Sequence, residues 1–171
     1  MIDKKIEDAI NKQINWELYS SYLYFSMASY CDSVNLKGFS SWMRTQAMEE
    51  MTHVKRFYDF LTARGGRVIF SEIKAPPTEW DSPHTVFEVT LEHEQHVTKL
   101  INDLMNLAHD LRDHASISFL QWFIDEQVEE EESVDEVLQS LKLNENNPGG
   151  LFIIDKELAQ RTFVAPADVT I

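Results

Sequence analysis

The sequence predicts an all-α fold: a four-helix bundle with a long crossover between its second and third helices, followed by a short fifth helix. Three observations support this prediction. The 171 residues include only 5 glycines and 5 prolines, so few residues interrupt helices. Four long segments carry apolar residues at the three- and four-residue steps of one buried helix face. One connection between these segments is much longer than the others.

Helix breakers and caps place the boundaries of the predicted helices. Gly65-Gly66 is a C-terminal signal for the second helix. Ser82-Pro83 combines an N-cap with proline at the first position of the third helix. The breaker NPGG separates the fourth helix from the fifth. We therefore expect helices over the following ranges: 3–31, 36–64, 83–110, 113–141 and 151–161.

The lengths of the connections predict the topology. Residues 32–35 and 111–112 are short links, so helices 1 and 2, and helices 3 and 4, should be antiparallel neighbours. Residues 65–82 could span roughly 55–60 Å when extended. A helix of about 28 residues is about 42 Å long. The crossover can therefore pass the whole bundle and leave helices 2 and 3 parallel.

Composition excludes several classes of function. The formal net charge of −14 argues against nucleic acid or an anionic membrane as a partner and is compatible with attracting cations. A single cysteine, Cys31, excludes an internal disulfide and a CxxC metal knuckle. Residues 1–13 lack the apolar stretch of a signal peptide, and the longest uncharged run, 18–31, is too short to span a bilayer. We expect a cytoplasmic protein.

Each predicted buried face is mainly apolar but is interrupted by an acid near its centre. The interrupting residues, in helix order, are Glu17, Glu50, Glu94 and the pair Gln127/Glu130. In a bundle of helices of equal length, the midpoints share one layer. Burying four carboxylates in one layer is prohibitive unless something compensates their charge. Two divalent cations would supply that charge.

The stretch EEMTH (49–53) adds an imidazole to this layer. Glu50 and His53 are three residues apart, so both can point inward. Carboxylates with an imidazole suit iron or manganese, and glutamates combined with Glu-x-x-His form the di-iron carboxylate site of helical bundles. A lone E-x-x-H is a weak signal, and the four interruptions at one height make it strong. A zinc protease is unsupported because the first histidine of H-E-x-x-H is missing.

Several neighbouring polar residues have a plainer interpretation. Glu49 and Glu129 flank the buried faces and, taken alone, are solvated acids. The acid-rich stretch 125–133 is by default an exposed helix face. His93 and His96 lie off the predicted buried face of helix 3, so we expect them at the surface or at an interface.

Five segments at matching spacing resemble a known family. They are INWELYSSYLY (14–24), EEMTHVKRFYDFL (49–61), LEHE (91–94), FLQWFIDEQVEEEES (119–133) and FIIDKEL (152–158). They closely resemble the non-haem ferritins of bacteria and archaea. The resemblance extends to about residue 161, which we take as the end of a ferritin-like domain, 1–161, followed by a tail, 162–171. It implies a hollow shell of twenty-four subunits that stores ferric mineral.

The resemblance also implies a di-iron ferroxidase centre within each bundle, which oxidises Fe(II) with O2 or H2O2. One iron is held by side chains of the first two helices: Glu17, Glu50 and His53. The second is held by carboxylates, with an amide close by: Glu50 as bridge, Glu94, Glu130 and Gln127. Oxygen ligands favour Fe(III), and two metals about 3.5–4 Å apart can deliver two electrons to O2 together.

Two further features near the centre follow from the resemblance. Tyr24 lies next to the irons and is expected to take part in hydrogen bonding or electron transfer. A third, weaker iron site is expected from four acids of helices 2 and 4: Glu49, Glu126, Glu129 and Glu130.

Two alternatives remain open from the sequence. One is a metal buffer or scaffold that binds Fe(II) or Zn(II) without turnover. The other is a haem protein like the bacterioferritins, which place an axial methionine at the position of Met51. Bacterioferritins carry a second E-x-x-H on the fourth helix, but Gln127 is followed here by Glu130, so we expect no haem. Rubrerythrins are excluded because their iron domain needs several cysteines.

Overall fold

The computed structural model describes residues 2–145, 147 and 149–165, and these form five helices without any strand. The helices are α1 (Lys4–Ser33), α2 (Lys37–Ala63), α3 (Pro83–Asp110), α4 (His114–Leu143) and α5 (Gly150–Leu158). The predicted fold class is therefore confirmed. The fifth helix ends at Leu158, earlier than the predicted end at residue 161. The predicted tail, 162–171, falls outside the described residues from 166 onward.

The long crossover makes α2 and α3 parallel, as predicted. Arg64, at the end of α2, donates two hydrogen bonds of 3.0 Å to Asp113, the N-cap of α4. The end of α2 therefore lies beside the start of α4. Because only three residues separate the end of α3 from the start of α4, the ends of α2 and α3 lie at the same end of the bundle.

Side chains of α1 hold the crossover against the bundle. The Asn11 amide donates to Arg67 O at 3.0 Å and accepts from Ile69 N at 2.7 Å. Further along the helix, Ser26 Oγ donates to Pro77 O at 2.6 Å. The extended segment thus satisfies part of its backbone hydrogen bonding on the outer face of α1.

Local chemistry explains where α2 begins and ends. At its C-terminus, Gly65 adopts φ 76°, and the N–H of Gly66 donates to Leu61 O at 2.9 Å. This is a Schellman motif, which confirms the predicted C-terminal signal. At its N-terminus, the N-cap Leu36 has no side-chain acceptor. Asp155 of α5 supplies one instead, because its carboxylate accepts from the first amides of α2.

The core consists of two apolar clusters separated by a polar layer. One cluster, built around Tyr24, Phe39 and Phe87, also includes Ile154 and Leu158 of α5. The other is built around side chains nearer the opposite end of the bundle: Ile14, Phe57, Leu120 and Phe123. Phe57 and Phe123 stack with ring centroids 4.1 Å apart. The residues between the clusters on all four long helices are those of the predicted acidic layer.

None of the helices in the described residues combines the length and the hydropathy that a membrane span requires.

Candidate metal centre

The six residues predicted to interrupt the buried faces all lie in the interior of the bundle. Each is exposed by 5% or less of its surface: Glu17, Glu50, His53, Glu94, Gln127 and Glu130. The helices position them because each is flanked by apolar residues of both core clusters on the same face. The midpoints of four helices therefore share one layer, as the spacing predicts.

Three of these residues converge on one point. One ligand atom from each of Glu17, Glu50 and His53 lies within 4.8 Å of the others. His53 Nδ1 is 3.2 Å from Glu50 Oε2 and 3.8 Å from Glu17 Oε2. Glu17 Oε2 is buried and makes no hydrogen bond within the described residues, although Oε1 accepts from Gln13 Nε2 at 2.9 Å. An orphaned carboxylate oxygen beside an imidazole nitrogen fits a divalent cation.

The other carboxylates of the layer are held by neutral donors. Tyr24 OH donates to Glu94 Oε1, and Gln127 Nε2 lies 3.3 Å from Glu94 Oε2. Gln46 Nε2 donates to Glu130 Oε2. Within the described residues, Glu94 belongs to neither of the two groups whose donors converge for a metal.

Burial and mutual repulsion shift the protonation of these groups. Burial raises the pKa of Glu50 well above its ordinary value, even though the interaction with His53 lowers it. Burial, together with the charge of Glu130, raises the pKa of Glu94 to about 8. Burial lowers the pKa of His53, but the interactions with the Glu17 and Glu50 carboxylates outweigh it and raise that pKa overall. The layer therefore retains protons that a metal ion would displace.

Glu17 and Tyr24 differ in charge state. Burial raises the pKa of Glu17, but the interaction with His53 outweighs it, so this pKa is lowered. Burial and the charge of Glu94 raise the pKa of Tyr24 well above its ordinary value. The Glu17 carboxylate is thus stabilised as an anion, and Tyr24 remains a neutral phenol that can donate a hydrogen bond.

The structure brings together only part of the predicted third iron site. Donor atoms of His53, Glu126 and Glu130 lie within 4.8 Å of one another, and Glu126 Oε1 is 4.0 Å from His53 Nε2. Glu126 and Glu130 are four residues apart and share a helix face. Glu129 is exposed, because it lies about 100° round the helix from Glu130. Glu49 is half-buried and forms an ion pair with Arg161.

The prediction for His93 is wrong. His93 is 9% exposed, and its Nε2 lies 2.7 Å from Ser20 Oγ on α1. The buried face of α3 is rotated towards α1, so His93 packs between the helices while Leu91, on the predicted face, is only half-buried. Burial lowers the pKa of His93 to about 4. His96 is exposed, as predicted, with its ring 4.7 Å from that of Trp16.

Sequence reasoning missed three residues that hold the carboxylates. Gln13 and Gln46 lie in or next to predicted buried faces, and their polarity at the height of the acidic layer is a signal that they bind its acids. Arg161 carries no such signal, because it reaches Glu49 from 112 positions along the chain.

Comparison with known proteins decides the family. The family profile described as "Ferritin-like domain" matches residues 7–144, most of the chain. The chain belongs to the ferritin family. The profile match spans α1 to α4 and contains all six residues of the buried layer.

Individual ferritins match over nearly their full length. The bacterial non-heme ferritin of Staphylococcus saprophyticus is 40% identical over 163 residues, covering 95% of this chain and 98% of the relative. That of Bacteroides fragilis is 40% identical, covering 94% and 100%. A solved structure, an engineered closed form of the Archaeoglobus fulgidus ferritin, superimposes with a TM-score of 0.94 at 48% identity, covering 96% of this chain and 100% of that one.

Proposed function

We propose that this ferritin stores iron by oxidising Fe(II) with O2 at a di-iron centre in each subunit and by retaining the ferric product inside a shell of twenty-four subunits. The observation that carries the proposal is the convergence of Glu17, Glu50 and His53 within 4.8 Å in a buried layer. These residues lie in a ferritin bundle, and similar proteins are named non-heme ferritins. Both facts support iron as the metal.

Fe(II) is the substrate of this centre. In the proposal, Glu17, Glu50 and His53 bind the first iron. Glu50 bridges to the second iron, which takes Glu94 and Glu130 as further ligands. Two Fe(II) ions each give up one electron, and O2 takes both electrons with two protons to form H2O2. Binding of the metals releases protons from the layer, and oxygen ligands stabilise the ferric product.

Uncharged hydrogen-bond donors hold the carboxylates that are proposed to bind the second iron. Tyr24 and Gln127 both bind Glu94, and Gln46 binds Glu130. These hydrogen bonds orient the carboxylates before a metal arrives, which lowers the reorganisation that binding requires. Tyr24 also provides a buried phenol beside the irons, in a position suited to electron transfer.

A third, weaker iron site is part of the proposal. The convergence of Glu126 and Glu130 on His53 supports it, with Glu49 as a further ligand and Glu129 as an outer acid. Its carboxylates are less enclosed than those of the di-iron pair, because Glu126 and Glu49 are half-buried. We expect iron to pass through this site after oxidation.

Exposed apolar side chains support self-assembly. On α5, Phe152 is 65% exposed and Ile153 is 53% exposed, and Leu151 is 37% exposed. Ile154 and Leu158 of the same helix are buried within the subunit. The outward face of α5 therefore remains for contacts between copies of the chain. Light scattering should give a mass near twenty-four times 19.9 kDa.

Aerobic loading with Fe(II) tests the proposed activity. Oxygen consumption, ferric absorbance and the size of the iron-filled species are followed together. Glu50→Ala and His53→Ala should each slow the fast phase by about tenfold or more. Glu132→Ala, which changes an exposed acid of α4, is the matched control and should match the parent. A shell that binds Fe(II) without consuming oxygen would instead be the metal buffer.

The remaining expectations extend the proposal. We place residues 1–161 in one ferritin domain, with 162–171 as a tail, and the protein in the cytoplasm. We expect it to bind neither nucleic acid nor membranes, because its net charge is −14.

A further inference from the structure

Arg161, three residues past the end of α5, brings a positive charge to the acids of the metal centre. Arg161 lies just past the helix, where its backbone N–H donates to Leu158 O at 3.3 Å. Its guanidinium Nη2 donates to Glu49 Oε2 in an ion pair. The two residues are 112 positions apart, so this pair exists only when α5 packs against α2.

Trp42 fixes the place of this charge. Arg161 Cζ is 4.4 Å from the centroid of the Trp42 ring, within cation–π distance. Trp42 is only 3% exposed, and its ring lies 4.9 Å from that of Phe87. The position of the guanidinium is therefore set by the packed core.

Glu49 can bind either the Arg161 guanidinium or a metal ion. It is the residue before the bridging Glu50 and is one of the acids proposed for the third iron site. When the Arg161 guanidinium binds it, its charge is already compensated. A metal ion that takes the same oxygen must displace that cation or accept repulsion from it.

The ion pair between Arg161 and Glu49 is weak enough for a divalent cation to displace the guanidinium. Within the described residues, Arg161 and Glu49 share one hydrogen bond, whereas a bidentate pair has two. The two side chains are 25% and 26% exposed, so water screens the attraction. Partly exposed pairs of this kind are worth about 1 kcal/mol or less, which a divalent cation can overcome.

We propose that Arg161 is a positioning residue that competes with metal for Glu49 and thereby keeps the third iron site weak. The inference rests on the proposed function, because it concerns the third site of that centre. With the guanidinium on Glu49, the other acids of the proposed site, Glu126, Glu129 and Glu130, face an incoming ion without the aid of Glu49. Weak retention lets ferric ions leave for the interior instead of blocking the di-iron pair.

Zinc binding to the metal-free shell tests this inference, because Zn²⁺ binds without changing oxidation state. In Arg161→Met the charge is lost, but an apolar stem remains over Trp42. Calorimetric titration should show the weakest class of Zn²⁺ sites tightening by about three- to tenfold. Arg161→Lys keeps the charge and should stay within about twofold of the parent. Unchanged weak-site affinity in Arg161→Met would overturn the proposal.

Two further variants separate competition from simple fastening of α5. Arg44→Met removes an exposed arginine of α2 that pairs with Asp32, and it should leave Zn²⁺ binding as in the parent. In a Glu49→Gln background, Arg161→Met should bring no tightening, because the effect passes through Glu49. An equal tightening with and without Glu49, or a lowered melting temperature with no change in Zn²⁺ affinity, would contradict the competition.

The outcome does not depend on the proposed oxidation. Zn²⁺ binding is measured without turnover, so the result of the titration holds even if Glu50→Ala fails to slow Fe(II) oxidation. If Arg161→Met does not assemble, the single variant Glu49→Gln still tests whether Glu49 binds metal. It should weaken the weakest class of Zn²⁺ sites by about three- to tenfold, and retention of that class at parental affinity would show that Glu49 binds no metal and that Arg161 has nothing to compete for.

Discussion

Asp155 of α5 caps the N-terminus of α2 at Gly38. Its Oδ1 accepts from Gly38 N at 2.7 Å and from Phe39 N at 3.2 Å. Residues on α2 provide no side-chain cap of their own. A negative charge at a helix N-terminus also interacts favourably with the helix dipole. One carboxylate therefore completes α2 and ties α5 to the bundle.

Removing this cap should loosen α5. Asp155→Ala leaves two buried amides without their acceptor and should cost about 0.5–2 kcal/mol of stability. We expect a lower melting temperature and faster hydrogen exchange in α5 and in the first turn of α2. Glu157→Ala changes an exposed acid of the same helix and serves as the control. Equal effects of the two substitutions would contradict the capping role.

Gly38 should tolerate no side chain. A Cβ at this position would lie 1.6 Å from the backbone oxygen of Asp155, so Gly38→Ala must push α5 away from α2. We expect a loss of about 2 kcal/mol or more, with reduced assembly if α5 is displaced. Gly149→Ala is the matched control, because its nearest neighbour would be 3.7 Å away. Crystallography or cross-linking of the assembled shell would show whether α5 has moved.

The Arg64–Asp113 pair should contribute stability with a defined pH dependence. The hydrogen bonds from Arg64 lower the pKa of Asp113 below its ordinary 3.8. A lowered pKa means that the folded state favours the charged carboxylate. The stabilisation is therefore full above the unfolded-state pKa and is lost as the pH falls through the lowered value.

This dependence is measurable as a difference between variants. Asp113→Asn should be less stable than the parent by a constant amount from about pH 8 to about pH 5, and the difference should shrink as the pH falls below 3.8. Melting temperatures at matched ionic strength measure it. Asp103→Asn, an exposed acid of α3, is the control. A difference that grows on acidification would contradict the role assigned to the pair.

The acids of the proposed third site should differ in importance. Glu126 belongs to the group that converges on His53, whereas Glu129 is exposed. We expect Glu126→Ala to change the ratio of iron oxidised to oxygen consumed when three Fe(II) per subunit are added. Glu129→Ala should have a smaller effect. Stopped-flow absorbance with an oxygen electrode, at two and at three Fe(II) per subunit, distinguishes the two variants.

Haem should not bind tightly. Met51 is half-buried on α2 next to Glu50, and the fourth helix carries the non-haem pattern. Reconstitution with haem followed by desalting should leave no Soret absorbance. A band that survives desalting and disappears in Met51→Leu would assign this methionine as an axial ligand.

The sequence predicts the fold and the height of the polar layer because both depend on local periodicity. The helix boundaries follow from caps such as Ser82 and breakers such as Gly65, and the depth of Glu17 and Glu50 follows from their phase on apolar faces. The burial of His93 was not predicted, because the rotation of α3 about its axis depends on how α3 packs against α1. A helix face is broad, and the apolar pattern of α3 alone does not fix that rotation.

Long-range pairs limit what the sequence predicts about the site. Gln46 lies on a predicted buried face, but its partner, Glu130, is on another helix. The same holds for the ion pair of Arg161 with Glu49 and for the cap that Asp155 provides to α2. Such contacts depend on the final distance between helices, which hydrophobic spacing leaves open.

The attachment of the crossover to α1 has a consequence for synthesis on the ribosome. Asn11 and Ser26, which bind the backbone of the crossover, precede it in the chain. The surface that receives the crossover is therefore already translated when that segment emerges. Once docked, the crossover returns the chain to the end of the bundle where α2 begins. The direction of α3 is thus set by residues made before it, and vectorial translation favours the parallel arrangement of α2 and α3.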